Sequence, residues 1–157
     1  MISDNKKTGK KMMKTMKYLV LTLVLATTAT MAEAKQVKLP HMYMFGFAAS
    51  FVDSTLYLTD IQDVEGAWYN TKEKALMGRD SYSYQLKEYM SEKMGQPNRV
   101  CLVIFATTMK KAEKKYQKLK KKYMSSDGVI HGMKYLSAPD FKFTAVEVDD
   151  NGSANIS

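Results

Sequence analysis

Arg99-Val100-Cys101-Leu102-Val103-Ile104-Phe105-Ala106 is the stretch that decides the fold class of this 157-residue chain. It is an almost unbroken apolar run rich in β-branched side chains, the pattern of a strand covered on both faces, and it predicts the centre of a sheet. On its N-terminal side, Tyr82, Leu86, Tyr89, Met90 and Met94 recur at helical spacing. They predict a helix over Ser81 to Met94, with Asp80 or Ser81 as N-cap and Gly95-Gln96-Pro97 as the stop. On its C-terminal side, Met109, Ala112, Tyr116, Leu119 and Tyr123 form one apolar stripe, predicting a second helix over 109–123.

Further out, Met42 to Phe51 is apolar and aromatic, and Thr55 to Ile61 alternates, with Leu56 and Leu58 set against Thr55, Tyr57 and Thr59. Together they read as a hairpin turning near Val52 to Ser54. Gly46 within its first strand implies a bulge or a close approach of another backbone. The stretch up to Arg79 has no clean period and reads as a loop with at most one short element. Past the second helix, Ser125-Ser126-Asp127-Gly128 marks a loop. Phe141 to Val148 alternates again, as a last strand would, and the polar Asp149 to Ser157 reads as a disordered tail. The order β-β-α-β-α-β gives an α+β two-layer sandwich: a mostly antiparallel sheet of about four strands with two helices on one face.

The beginning of the chain has a different character. Lys6, Lys7, Lys10, Lys11, Lys14 and Lys17 precede the apolar run Tyr18 to Ala26, and Ala32-Glu33-Ala34 follows. A basic region, a short apolar region and small residues before a cut define a secretory signal peptide over residues 1–34. The apolar run is about nine residues, whereas spanning a bilayer takes roughly 20. The expectation is therefore one domain over 35–148, exported to the periplasm or beyond after cleavage near Ala34.

Cleavage also redistributes the charge. The formal net charge is +8, from 24 basic and 16 acidic side chains, but six of those lysines and two of those acids lie in the leader. Of the basic residues that remain, eight crowd between Lys110 and Lys122, so the rest of the domain is slightly acidic. The positive charge is local, and with export this argues against a nucleic-acid partner. The single cysteine, Cys101, cannot form an intramolecular disulfide, and in an oxidising compartment it is expected to be buried as a small apolar filler.

Four groups of residues are candidates for function. Lys110, Lys111, Lys114, Lys115, Lys118, Lys121 and Lys122 crowd one helix against a lone Glu113, and like charges at i,i+4 each cost a few tenths of a kcal/mol. An anionic partner, whether lipid, lipopolysaccharide or glycan, would offset that repulsion; the plainer account is a solvated face. His41, Met42, Met44, His131 and Met133 combine imidazole with thioether, a ligand set suited to Cu(I), although two methionines spaced i,i+2 in a strand are also what a core produces. Trp68 and Tyr69 could stack on a sugar or grip a peptide, or could seal a small core beneath the loop. Finally, either histidine could act as a base beside an acid. No nucleophile elbow, phosphate loop, dinucleotide fingerprint or paired-cysteine metal motif occurs, so neither an enzyme class nor a cofactor is indicated. The leading expectation is a non-enzymatic envelope protein that binds its ligand through the lysine helix or the aromatic loop. The alternatives are a small exported hydrolase using His41 or His131, and a subunit of an envelope complex.

Overall fold

The computed structural model describes residues 35–124 and 132–149. The residues read as a signal peptide, those read as a loop at Ser125 to Gly128, His131, and the residues after Asp149 read as a tail lie outside the described residues. The elements are β1 (Gln36–Leu39), β2 (Met42–Ala49), β3 (Thr55–Thr59), β4 (Gln62–Val64), β5 (Ala67–Asn70), β6 (Ala75–Leu76), α1 (Arg79–Glu92), β7 (Val100–Ala106), α2 (Met109–Met124) and β8 (Gly132–Leu136). The fold is mixed α+β and its strand pairs are mostly antiparallel.

β2 is the hub of the larger sheet. It pairs along its length with β7, and on its other edge with β3 and then β4. Phe47 faces Leu58 while Met44 faces Gln62, so the β3–β4 side carries one residue more than β2 between these points. The bulge expected in the first strand at Gly46 lies instead on its partner, between Leu58 and Gln62, and the Thr59 hydroxyl accepts the Gly46 N–H there at 2.9 Å. The close approach at Gly46 is made by side chains, where another backbone was expected: a Cβ at this position would lie 2.6 Å from Leu86 Cδ2 and 3.1 Å from Phe143 Cζ.

Alternation along β2 separates two cores. Met42, Met44 and Ala48 pack with Tyr82, Leu86 and Met90 of α1, whereas Phe45, of opposite parity, meets Tyr116 of α2 edge-on at 5.0 Å between ring centroids. The helices therefore cover opposite faces of the sheet, which corrects the expectation of two helices on one face. A second correction concerns β7. It pairs with β2 alone among the described strands, and Val100 and Leu102 are 45% and 43% exposed. β7 is an edge strand, and the centre is β2. Its apolar run follows from α1 covering Cys101 and Val103 on one face and α2 covering part of the other. The outward carbonyls of this edge are partly capped by cations: Arg79 Nε donates to Val103 at 2.9 Å and Lys115 Nζ to Phe105 at 2.6 Å.

Four more expectations are revised. The region read as loop contains β4, β5 and β6, and β5 joins β1 and β6 in a separate three-stranded sheet. β8, which pairs parallel to β3, was not anticipated. The expected last strand, Phe141 to Val148, forms a strap instead, with only Val148 in a strand-type bridge. Phe141, Phe143 and Val146 are buried as a strand's inward residues would be, but side chains hold the backbone. Gln62 donates to the Phe141 carbonyl and accepts the Phe143 N–H, both at 2.8 Å. Gln85 does the same for the carbonyl and N–H of Thr144, both at 2.9 Å, and the Tyr82 hydroxyl accepts the Val146 N–H at 3.1 Å. α1 begins two residues earlier than predicted, after Gly78 in the left-handed conformation at φ 63°, and no side chain caps it.

Candidate functional site: the outward face of α2

α2 is bound loosely to the sheet. Ala112 is its one buried residue, and Tyr116, Leu119 and Tyr123 are half-buried beside it. At 100° per residue these four lie on one side. Lys110, Lys111, Lys114, Lys118 and Lys121 then fall within an arc of about 100° on the opposite side, roughly 16 Å long from Lys110 to Lys121. All five are exposed, and among the described residues no carboxylate lies within 4.0 Å of any of them. The helix has no acidic residue in its first turn, while Lys121 and Lys122 occupy its last, where the helix dipole favours cations.

Two lysines of the predicted set behave differently. Lys115 turns back to the sheet edge, with its ammonium on the Phe105 carbonyl and 5.3 Å from the Phe105 ring. Desolvation there, with Arg79 and Lys111 nearby, holds its pKa below the ordinary value. Lys122 has its ammonium 5.3 Å from the ring of its neighbour Tyr123. Lys120, on the flank, rests on Tyr116 and Tyr135 at 5.7 and 5.0 Å. Burial pushes Tyr116 up to about 12, so this ring remains a neutral anchor beneath the stripe.

The other predicted groups are dispersed. Met42 and Met44 do share a face, as their spacing requires, and that face is the core: both are 0% exposed. His41 lies on the surface, stacked on Tyr43 at 6.3 Å, with Nδ1 2.8 Å from Asp63 Oδ2. Met133 is half-buried in β8 opposite Leu56, and the structure does not bring it to His41. Among the described residues no cluster of three or more His, Cys, Asp or Glu side chains could hold a metal ion. Trp68 is engaged within the protein. Its Nε1 donates to Glu147 at 3.1 Å, and Lys38, paired with Glu147 at 2.6 Å, sits 5.2 Å over its ring. These contacts hold the Glu147 carboxyl below its usual range. Tyr69 packs against the core. Cys101 is buried as expected, and desolvation pushes its thiol up to about 11, which keeps it un-ionised and unreactive.

Sequence reasoning missed two features. One is Arg99, buried and engaged through all three guanidinium nitrogens. It reaches Asp53 at 2.7 Å, the Thr55 carbonyl at 2.8 Å and Gln96, and stacks on Tyr57 at 4.6 Å. An arginine leading into an apolar run carries no local signal of this role. The second is the exposure of Phe51 and Val52, which belong by composition to the hydrophobic hairpin and by position to its tip. Comparison of the chain with known families, curated proteins and solved structures gives no match.

Proposed function

We propose that this chain is an exported, non-enzymatic binding module that holds an anionic surface through the lysine stripe of α2, its mature domain lying in the periplasm or outside the cell after cleavage near Ala34. The observation that carries this reading is the set Lys110, Lys111, Lys114, Lys118 and Lys121, aligned on one side of a helix with no carboxylate beside them among the described residues. A single-sign row costs helix stability through i,i+4 repulsion. Phosphate or carboxylate groups of a lipid, lipopolysaccharide or glycan surface convert that cost into attraction, about 1 kcal/mol per lysine near an anionic membrane. Lys111→Gln, Lys114→Gln and Lys118→Gln combined should weaken binding to anionic vesicles or an acidic glycan roughly a hundredfold, and wild-type binding should fall as salt rises. Binding that ignores both the substitutions and the salt would end this reading.

The exported-hydrolase alternative has one observation in its favour. His41 and Asp63 stand 2.8 Å apart on the surface, an acid orienting an imidazole as in a general-base pair. Among the described residues no hydroxyl or thiol bonds the ring, so the nucleophile would be water. Unchanged hydrolysis by His41→Ala across a screen of ester, phosphate and glycoside substrates would remove this alternative.

A further inference from the structure

We infer that the anionic surface read by α2 is a phospholipid bilayer, and that the β2–β3 turn, Phe51-Val52, is the part of the protein that enters it. The inference rests on the lysine-stripe reading above. It begins from an imbalance at the hairpin tip. Phe51 is 96% and Val52 86% exposed, two neighbouring apolar side chains held in water, whereas soluble surfaces usually carry such residues singly.

The tip that presents them is fastened. Ser50 Oγ accepts the Val52 N–H at 3.0 Å and Asp53 Oδ1 accepts the Thr55 N–H at 2.8 Å. Asp53 Oδ2 takes the buried Arg99, whose guanidinium also grips the Thr55 carbonyl. The Thr55 N–H first, and Arg99 after it, hold the Asp53 carboxyl below its ordinary value, so this brace is charged at neutral pH. A turn pinned on both sides of Val52 has its side chains oriented before any partner arrives, which lowers the ordering cost of binding.

The tip also lies at one end of the sheet face that α2 covers. Val100 and Leu102 have the parity opposite to Cys101 and Val103, which puts them on the α2 face, and both are exposed. Val100 pairs with Ala49 and Leu102 with Phe47, both half-buried, and Phe51 lies two residues beyond Ala49. The α2 face therefore grades from lysines over its helix-covered part to Leu102 and Val100, and the turn carrying Phe51 and Val52 follows at that end of the sheet, with Val52 bordering a cavity lined by Gln96, Pro97 and Arg99. Tyr135, 50% exposed in β8, stands on this same face under Lys120, an amphipathic ring of the kind favoured at head-group level. A soluble polyanion would engage the lysines and leave the apolar end in water. A bilayer offers phosphate to the first and acyl chain to the second, within the roughly 5–10 Å that an interfacial segment penetrates.

The test uses Ala34–Ser157, a compact unit by itself, with vesicles of phosphatidylglycerol and phosphatidylcholine beside a soluble polyanion, dextran sulfate. Phe51→Asp with Val52→Asp should lower vesicle affinity at least about tenfold, since both exposed side chains lose their apolar burial, and leave dextran sulfate binding unchanged. Unaltered circular dichroism would show the fold intact, since neither side chain packs. Phe51→Trp in a Trp68→Phe background should shift its emission to the blue on vesicles and be quenched by brominated acyl chains. Vesicle affinity unaffected by the aspartates, or a tryptophan whose emission stays at its aqueous position, would overturn the bilayer proposal. Loss of both vesicle and dextran sulfate binding in the triple lysine variant, beside an inert Phe51-Val52 pair, would keep the lysine reading and discard this one. If the triple lysine variant bound both probes as well as wild type, the underlying reading itself would fail.

Discussion

α1 and α2 lie on opposite faces of one sheet and are of similar length, yet they stand in different relations to the fold. α1 sinks Tyr82, Leu86 and Met90 to 0% exposure and uses two further groups, the Gln85 amide and the Tyr82 hydroxyl, to hold the strap. α2 buries Ala112 alone and touches the sheet through the Tyr116 ring and the ammonium groups of Lys115 and Lys120. An amphipathic stripe in sequence thus describes two different objects: one helix whose identity is fixed by packing, and one whose composition packing leaves almost free. In the second, packing does not select the row of lysines, and the proposed anionic surface would act on that freedom.

The largest effect that would break this contrast is a pair of truncations. Leu86→Ala removes a fully buried side chain packed onto Gly46 and should cost about 2–5 kcal/mol. Leu119→Ala, half-exposed on α2, should cost less than about 1 kcal/mol. Chemical denaturation of both variants measures the difference, and equal losses would show that α2 is as structural as α1. An intermediate effect sharpens the α1 side. Gln62→Ala strands a buried carbonyl at Phe141 and a buried N–H at Phe143, and should cost about 1–3 kcal/mol. Loss of amide protection at Phe143 in hydrogen exchange would locate that cost in the strap, and unchanged protection there would show that the backbone is held by something else. The smallest effect belongs to α2. The triple lysine-to-glutamine variant should melt within about 0.5 kcal/mol of wild type or slightly above it, because i,i+4 repulsion is relieved and no packing is lost. A clear drop in its melting stability would mean that the lysines hold the fold.

What was legible in the sequence follows from which partners a residue has. Both helices, the Met42 to Ile61 hairpin and the burial of Cys101 could be read because each depends on a period or a composition carried by the segment itself. The place of β7 could not. An apolar run reports that much of a strand is covered, and neither a second pairing strand nor the exposure of Val100 and Leu102 at its far end has a local signature. The strap was misread for a related reason: Phe141, Phe143 and Val146 give the burial pattern of a strand, while the Gln62 and Gln85 amides that replace the neighbouring backbone lie 81 and 59 residues away. β4 and β6 are too short to show a period. At the candidate site, the lysine row was visible as a count, but which lysines face outward and which rest on Phe105, Tyr116 and Tyr135 depends on the sheet beneath.

The strap also sets how the chain resists being pulled. In a ladder, tension along a strand loads many backbone hydrogen bonds together, and they yield in shear. From Val146 back to Phe141 the backbone is hung on three separate side chains, Tyr82, Gln85 and Gln62, spaced along its length. Tension applied beyond Asp149 therefore meets the Val148 bridge and the Glu147 contacts with Lys38 and Trp68, then Tyr82, Gln85 and Gln62 in turn, and the segment peels like a zipper, tooth by tooth, drawing Val146, Phe143 and Phe141 out of the core as it goes. Anything tethered at this end works against separate contacts one after another, not against a whole ladder at once.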